Sequence, residues 1–453
     1  MENSLPMSMR YSITGSDAIP SRTRLSRFDA TSSSYGSSSN NKILIPVQAD
    51  GFLDTSKSYL YLKITGDMVG GTTYRLDGNI ASIIDKLEIS VAGASGKVET
   101  IDRYNLYHLY DQIWNSGAED ITYQNAVNGG SDPAGTLTEN GGSQTGDEAL
   151  VPWKAQGHSI GPANSATIRT SVLALKLKGG FLNSYFNKAL PQGLPQFTIE
   201  ITLASGVQAF VHTGGVSTNN DYSISECRFY APVYQILDEG VMNVYTRQIQ
   251  SSPTMWVGQS VGTIINTVPA IASKQTLQLN ASYRSLNSMI TLMRPSADMN
   301  TSTVNILTAT NIRRVVGYVY RLMGSQYPQD QIDIQSDSGA LGFNVSRAYM
   351  EASKALAPHG HTYAKTTAVS RASFVSEVGT GNRVGCGSLC ISLVRFSDDR
   401  LVNLGLNTAG SSAPSTIEID FGANAPANQD ATTFALYDCV WVLNPNGLVE
   451  RSF

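Results

Sequence analysis

The chain has 453 residues, a formal net charge of −4 and only 15% charged side chains, against ~25% in an ordinary globular protein. It therefore lacks a global basic field for nucleic acid, and no apolar run reaches the ~18 residues of a transmembrane helix. With 41% hydrophobic residues, 40 Gly and 17 Pro, it fits two or three domains with sizeable cores, many turns and a neutral hydroxyl- and amide-rich surface, as loop-rich β proteins and large packed assemblies have.

The opening stretch, MENSLPMSMRYSITGS, has no positive region leading into an apolar one, so no signal peptide is expected. The four cysteines, Cys227, Cys386, Cys390 and Cys439, are then expected as reduced thiols in an intracellular compartment. Residues 1–41 are rich in Ser, Asn and Gly, and SSSYGSSSNN (32–41) reads as a flexible connection. The whole region reads as an arm. Arg10, Arg22, Arg24 and Arg27 oppose Glu2, Asp17 and Asp29, a balance of about +1, too small to neutralise packaged nucleic acid. Met7, Met9, Tyr11 and Ile13 alternate, and Arg22, Arg24 and Arg27 surround Leu25 and Phe28. A solvated tail gains nothing from such residues. An arm ordered by contact with a neighbouring subunit does, through strand addition to a sheet edge.

KILIPVQ (42–48) is a predicted strand. GFLDTSKSYLYLKIT (51–65) is a turn and then a half-buried strand, with Tyr59, Tyr61 and Lys63 on one face and Leu60, Leu62 and Ile64 on the other. A strand is expected around Ile84–Val91. The period then changes in TIDRYNLYHLYDQIW (100–114), where Ile101, Tyr104, Leu109 and Ile113 share a helical stripe and Thr100 or Asp102 offers an N-cap. Residues 115–166 form a long polar insertion with GG, SDP and NGG turns, expected as a surface loop. TIRTSVLALKL, FTIEITLA and CRFYAPVYQI are strands, GGFLNSYFNKALPQG a short helix, and LDEGVMNVYTRQI (237–249) a helix closing the first half.

The second half repeats the style. TLQLNAS, SMITLMR and RRVVGYVYRLM are strands, YPQDQIDI is extended, and residues 342–358 form a helix stopped by Pro358. ASFVSEV, LCISLVRF, STIEIDFG and FALYDCVWVL follow, the last nearly continuous in apolar residues and so buried on both faces. The stretch 281–295, ASYRSLNSMITLMRP, opens a strand much as 51–65 does, half a chain earlier. Two mostly antiparallel β-sandwiches in tandem, with a boundary between about 235 and 262, are the economical architecture.

Catalytic chemistry finds little support. No G-x-S-x-G follows a strand, and Cys386 and Cys390 in GCGSLC have no adjacent His. On one straight strand those thiols lie about 13 Å apart at their Cα atoms, beyond a disulfide's reach. HGH (359–361) offers two imidazoles without a third ligand, and SDDR (397–400) reads as a turn. GTGNRVGCG lacks the G-K-[ST] ending of a phosphate loop. The sequons at Asn280, Asn300 and Asn344 carry little weight without secretion. Asp85, Glu88, Asp111 and Glu200 could supply a carboxylate pair, as chance would in any chain of this length. Trp114, Trp153, Trp256 and Trp441 are scattered rather than arrayed as a stacking platform. No catalytic residue, cofactor or metal ligand is expected.

Several stretches together resemble the double jelly-roll major capsid proteins of tailless icosahedral DNA viruses, especially those of polinton-like viruses and virophages. GFLDTSKSYLYLKIT is similar to that group's [FY]-[IL]-D-x-x-x-[ST]-[YF]-L opening, and LEISVAGASGKVETIDRYNLYHLYDQI to its next block. LDEGVMNVYTRQI resembles the segment leading out of the first roll, and YRLMGSQYPQDQIDIQ with AYMEASKALA a block and helix of the second. Residues 115–166 and 402–415 match nothing in that pattern.

The resemblance implies an all-β chain of two tandem antiparallel eight-stranded jelly rolls with a few short helices: an arm at 1–41, a first roll at 42–250 and a second at 251–453. It further implies pseudo-hexameric homotrimers that tile an icosahedral shell around a DNA genome, a virion protein assembled inside the host cell. The implied partners are the chain itself, neighbouring trimers and a penton or minor capsid protein, with an inner membrane as a further candidate and no sequence-specific nucleic-acid binding. The arm residues Met7, Met9, Arg10, Tyr11, Ile13, Arg22, Arg24, Leu25, Arg27 and Phe28 are then the candidate inter-subunit contacts. A trimeric receptor-binding spike or adhesin would be elongated instead, and a β-sandwich glycosidase would hold two carboxylates about 5 to 9 Å apart in a cleft.

Overall fold

The computed structural model describes residues 21–67, 73–94, 96–115, 127–129, 138–139, 142–143, 170–213, 221–270, 273–299, 312, 315–334, 345–358, 363–364, 367, 369, 374, 387–394, 404–410, 413–422 and 428–452. Most of them belong to two antiparallel sandwiches of eight main strands each.

The first comprises β1 (Ser21–Asp29), β2 (Lys42–Val47), β3 (Tyr59–Asp67), β4 (Ile84–Val91), β5 (Lys97–Asp102), β6 (Thr170–Leu175), β7 (Phe197–Leu203) and β8 (Asp221–Ile236). Its sheets run β1-β8-β3-β6 and β2-β7-β4-β5. The second comprises β9 (Thr254–Val268), β10 (Lys274–Leu279), β11 (Leu286–Pro295), β12 (Gly317–Leu322), β13 (Ser325–Asp333), β14 (Leu389–Ser392), β15 (Ser415–Asp420) and β16 (Gln429–Leu443). Its sheets run β9-β16-β11-β14 and β10-β15-β12-β13. The pairing order is therefore the same in both halves, strand by strand. Helix α1 (Tyr104–Trp114) follows β5, and α3 (Ser346–Ala355) follows its counterpart β13. Between the halves lies α2 (Glu239–Ser251), whose N-cap Asp238 accepts a hydrogen bond from the Val241 N–H at 3.1 Å.

Period-two alternation builds the cores. Ile43, Ile45 and Val47 of β2 and Phe197, Ile199, Ile201 and Leu203 of β7 all point inward. Leu60, Leu62 and Ile64 of β3 do the same from the opposite sheet, while Tyr59, Tyr61 and Lys63 face out as the alternation predicts. The 51–65 and 281–295 stretches lead into β3 and β11, the third strands of the two halves.

Several expectations change. Residues 21–29 are not a free arm. As β1 they pair along their whole length with Arg228–Ile236 of β8, so the first sandwich begins at Ser21 rather than at residue 42. An edge strand is held by main-chain hydrogen bonds on one side, and here it buries little beyond Phe28, which meets the Phe229 ring at 6.3 Å. That leaves almost no apolar alternation to read in the sequence. Arg22, Arg24, Leu25, Arg27 and Phe28 thus contact their own chain, whereas Met7, Met9, Arg10, Tyr11 and Ile13 lie outside the described residues. The 32–41 stretch, expected to be flexible, is a hydrogen-bonded turn: the Ser32 N–H donates to the buried Tyr35 hydroxyl at 2.7 Å, and Asn40 Nδ2 to the Ser34 carbonyl at 2.8 Å.

Thr100 and Asp102 end β5 instead of capping α1, and Arg103 takes the cap position in the left-handed region (φ 52°). Tyr185–Asn187 make a single 3-10 turn where a short helix is expected at 179–193. The long strand β9 has no counterpart in the sequence reading, because Gly258 and Ser260 take buried positions while Met255 and Ile265 take exposed ones. Most of the 115–166 insertion, the ASFVSEV strand apart from Phe374, and Cys386 lie outside the described residues. Within the insertion Asn128 and Gly129 are buried.

Candidate functional site: the seam between the halves and the uncovered sheet

In a chain whose described residues hold no catalytic constellation, the informative surfaces are those where sheets meet or fail to meet. The first is the seam between the sandwiches. Helix α1 is buried nearly all round. One side packs on residues 79–91 of its own half, where Asn79 Nδ2 donates to Gln112 Oε1 at 2.5 Å. The other side covers the outer face of the β9-β16-β11-β14 sheet, with Tyr107 against Phe434 at 5.6 Å. Arg103 grips Asp430 through both terminal nitrogens, Nη2 to Oδ2 at 2.9 Å, and reaches Thr432 at 2.5 Å. This two-pronged pairing offsets the cost of the left-handed backbone, on the order of 1 kcal/mol. At the far end of α1, Trp114 packs on Tyr349 (5.2 Å) and Phe374 (6.0 Å), and the Tyr110 hydroxyl donates to Ser388 Oγ at 2.5 Å.

The segment 177–185 completes the seam. Phe181 sits edge-on to Trp256 (5.6 Å) and Trp441 (5.9 Å), and those two indoles stack at 6.4 Å. Two of the four tryptophans thus stack, but both are buried and unavailable as a platform. Backbone meets backbone beside them: a Cβ on Gly258 would lie 2.3 Å from the Gly180 carbonyl oxygen, so only glycine fits. Glu99 is fully buried here. Its carboxylate accepts from the Gly180 and Phe181 N–H groups at 2.8 and 3.1 Å and from Ser260 Oγ at 2.7 Å. Burial pushes its pKa up, against those three donors. Asp438 is likewise enclosed, accepting from Tyr185 (2.5 Å), Ser285 (2.5 Å) and Asn287 (2.7 Å).

The second surface is the topological counterpart of that covered sheet. The outer face of β1-β8-β3-β6 is half-open around Tyr59, Tyr61 and Tyr230, and the turn at 54–57 closes its end, where Tyr234 donates to Asp54 at 2.9 Å and lies under Lys57. Tyr59 stacks on Tyr230 at 5.2 Å, Tyr61 meets Tyr230 edge-on at 6.1 Å, and Arg228 lies over Tyr61 at 5.6 Å. Leu25 and Val172 flank them at 56% and 52% exposure. The charges on this face are paired among themselves: Lys63 with Glu226 (3.3 Å), and Arg228 with Glu226 (3.0 Å) and Asp29 (3.3 Å).

No protein-family model and no curated protein matches this sequence. Solved structures do match, over nearly the whole chain. The PBCV-1 virus capsid, in a quasi-atomic model, aligns over 98% of this chain and 99% of its own with a TM-score of 0.58 and 12% identity. The Faustovirus major capsid protein covers 96% and 93% at TM-score 0.53 and 8% identity. The crystal structure of the mavirus major capsid protein covers 99% and 93% at TM-score 0.51 and 11% identity. The fold is a double jelly roll. At such identities the likeness is one of architecture.

The sequence-named carboxylates do not make a catalytic pair in either roll. Glu88 and Glu200 are cross-strand neighbours on β4 and β7 of the first roll, but lysines lie over them and bury Glu88. Lys97 Nζ lies 2.7 Å from each, and Lys86 Nζ 3.2 Å from Glu88 and 3.1 Å from Asp102. Burial alone would raise both glutamate pKa values; hydrogen bonds from the lysines outweigh it and hold them low. Neither is an acid poised to protonate a leaving group. Asp85 is elsewhere on β4, its pKa raised mainly by burial, and Asp111 pairs with Lys178. Cys227, Cys390 and Cys439 are buried thiols outside any disulfide, with raised pKa values of which burial is the main cause in each. HGH and SDDR lie outside the described residues. Among the described residues no group of three or more His, Cys, Asp or Glu could hold a metal ion, and no helix is long and apolar enough to cross a membrane.

Proposed function

We propose that this chain is a major capsid protein: a building block that self-assembles as pseudo-hexameric homotrimers and tiles an icosahedral virus shell around a DNA genome. The observation that carries the reading is the end-to-end correspondence of both rolls with capsid proteins, 98% of this chain against 99% of the PBCV-1 capsid chain. The seam adds physical support. It is a heterologous contact, a helix on one roll against a sheet on the other, and a contact of that type repeated through steps of about sixty degrees is what a closed ring of rolls requires. Six rolls from three chains give the hexagonal outline that packs a curved lattice.

In this reading Met7, Met9, Arg10, Tyr11 and Ile13 reach from the inner side of one tile to the next, β1 being committed to its own roll. A penton or minor capsid protein closes the vertices, and an inner membrane is a candidate layer beneath the tiles. Loops such as 115–166 face outward or line contacts between tiles. The test is direct. The purified 48.6 kDa chain is expected to run as a trimer by light scattering, to appear as compact hexagonal plates by electron microscopy, and to form shells at high concentration. Elongated trimers would favour a spike, and a protein monomeric at all concentrations would overturn the reading.

A further inference from the structure

The equal strand order of the two rolls makes each feature of one predict a counterpart in the other, and two counterparts are missing. Helix α1 has a side that docks on the second roll's β9-β16-β11-β14 sheet. Helix α3 follows the equivalent strand and flanks the equivalent sixth strand, with Glu351 within 3.5 Å of the Ser392 N–H. Yet α3 shows Ser346, Arg347 and Met350 to solvent, Met350 at 44% exposure. Just past β14, Val394 is also exposed, whereas Leu177, just past the counterpart β6, is buried. On the other side of the account, the first roll's β1-β8-β3-β6 sheet lacks the cover that its counterpart receives. A helix face without a sheet and a sheet without a helix are thus left at matching places.

We infer that the open face of α3, with Met350 and Val394, docks on the Tyr59–Tyr61–Tyr230 face of a second copy of this chain, repeating between molecules the contact that α1 makes within one. The inference rests on the capsid reading and deepens it by naming the two surfaces that join neighbouring chains. Chemistry favours the fit. Tyrosines expose broad apolar faces yet tolerate water, as a surface must that is open before assembly and closed after it. The sheet's charges already have partners on the same face, which lessens the desolvation cost of covering them. The two surfaces differ, so the contact is heterologous and each chain carries both of its halves, one sheet and one helix.

This arrangement has a signature that a general stickiness lacks. Tyr61→Glu with Tyr230→Glu blocks the sheet, and Ser346→Glu with Met350→Glu blocks the helix, Arg347 being left alone because it donates to the Asp330 and Gln331 carbonyls of its own chain. Each double variant is expected to be a folded monomer, with near-ultraviolet circular dichroism and melting temperature close to those of dissociated wild type. Mixed in equal amounts, the two are expected to form a one-to-one dimer and go no further, because one intact helix meets one intact sheet and the remaining halves are both blocked. A trimer retained by either variant, or a mixture that stays monomeric, overturns the inference. If a double variant fails to fold, Tyr61→Ser and Met350→Ser replace it, and hydrogen exchange on wild type gives an independent reading: amides in 59–65 and 346–351 must be better protected in the trimer than after dilution to monomer. Wild-type trimers indifferent to all these changes would leave the capsid reading standing and sink only this contact. A wild type that never trimerises would sink both.

Discussion

Strands β3 and β11 occupy the same place in their rolls, yet their burial differs throughout. All ten residues of β11 are buried, whereas β3 alternates buried Leu60, Leu62 and Ile64 with half-open Tyr59, Tyr61 and Lys63. The same contrast separates β16 from β8. Topology does not set this difference; cover does. Where α1 lies over the second roll's sheet, both faces are dry and carry Ile290, Leu292 and Phe434. Where the described residues provide no cover, the outer face carries tyrosines and paired charges. The chain thus writes into each strand whether a neighbour is built in or must come from elsewhere.

The largest expected effect comes from emptying the covered side. Phe181→Ala should destabilise the isolated chain by about 3 to 5 kcal/mol in urea titrations, since it leaves a cavity against the edge of the two stacked indoles. Tyr230→Ala, at the open side, should change the monomer by less than about 1 kcal/mol. Equal losses at the two sites would erase the comparison.

Truncation comes next. Removal of residues 1–20 should leave the fold intact, and removal of residues 1–30 should not. The longer cut takes away β1 and exposes the β8 edge along nine residue pairs, a loss on the order of 3 kcal/mol given the ~0.5 to 1.5 kcal/mol net worth of each hydrogen bond. Indistinguishable melting temperatures for the two truncations would show that β1 contributes nothing.

Acid should separate the lysine-paired carboxylates from the one enclosed in the seam. Glu88 and Glu200 have folded pKa values below 4.5, so their stabilisation is present above that pH and is lost as the pH falls through the folded values. Glu99, raised by burial, has the opposite sign: its contribution is fullest below 4.5 and diminishes as the pH rises through its folded value. Glu88→Gln with Glu200→Gln should therefore flatten the acid limb of a stability–pH curve, and an unchanged limb would count against the lysine lattice.

The smallest effect is kinetic. Cys227 on β8 and Cys439 on β16 hold counterpart strands. Both are buried with raised pKa values, so native labelling should be slow. In monomer, Cys227 beneath the open sheet should react several-fold faster than Cys439 beneath the covered one. In trimer the gap should narrow. Mass spectrometry of labelled peptides reads both rates.

Much of the fold is legible in local pattern. Alternation marks β2, β3 and β7, the continuous apolar run marks β16 as buried on both faces, and helical spacing marks α1. Even the likeness of 51–65 to 281–295 proves real, since they open the third strand of each roll. Such signals survive because the side-chain period is a property of each element and its nearest core.

What the chain by itself determined, then, is a tandem of two antiparallel sandwiches with cores of known residues and no evident catalytic pattern. What only the tertiary structure decided is everything that depends on distant partners. β1 is held by main-chain hydrogen bonds to a strand some two hundred residues away, and such bonds leave no side-chain signature. Glu99, an ordinary-looking acid in a strand, becomes a buried acceptor because Gly180, Phe181 and Ser260 converge on it from two rolls. The two open surfaces emerge only when strand orders are compared, because exposure is a relation between elements that no single stretch of sequence contains.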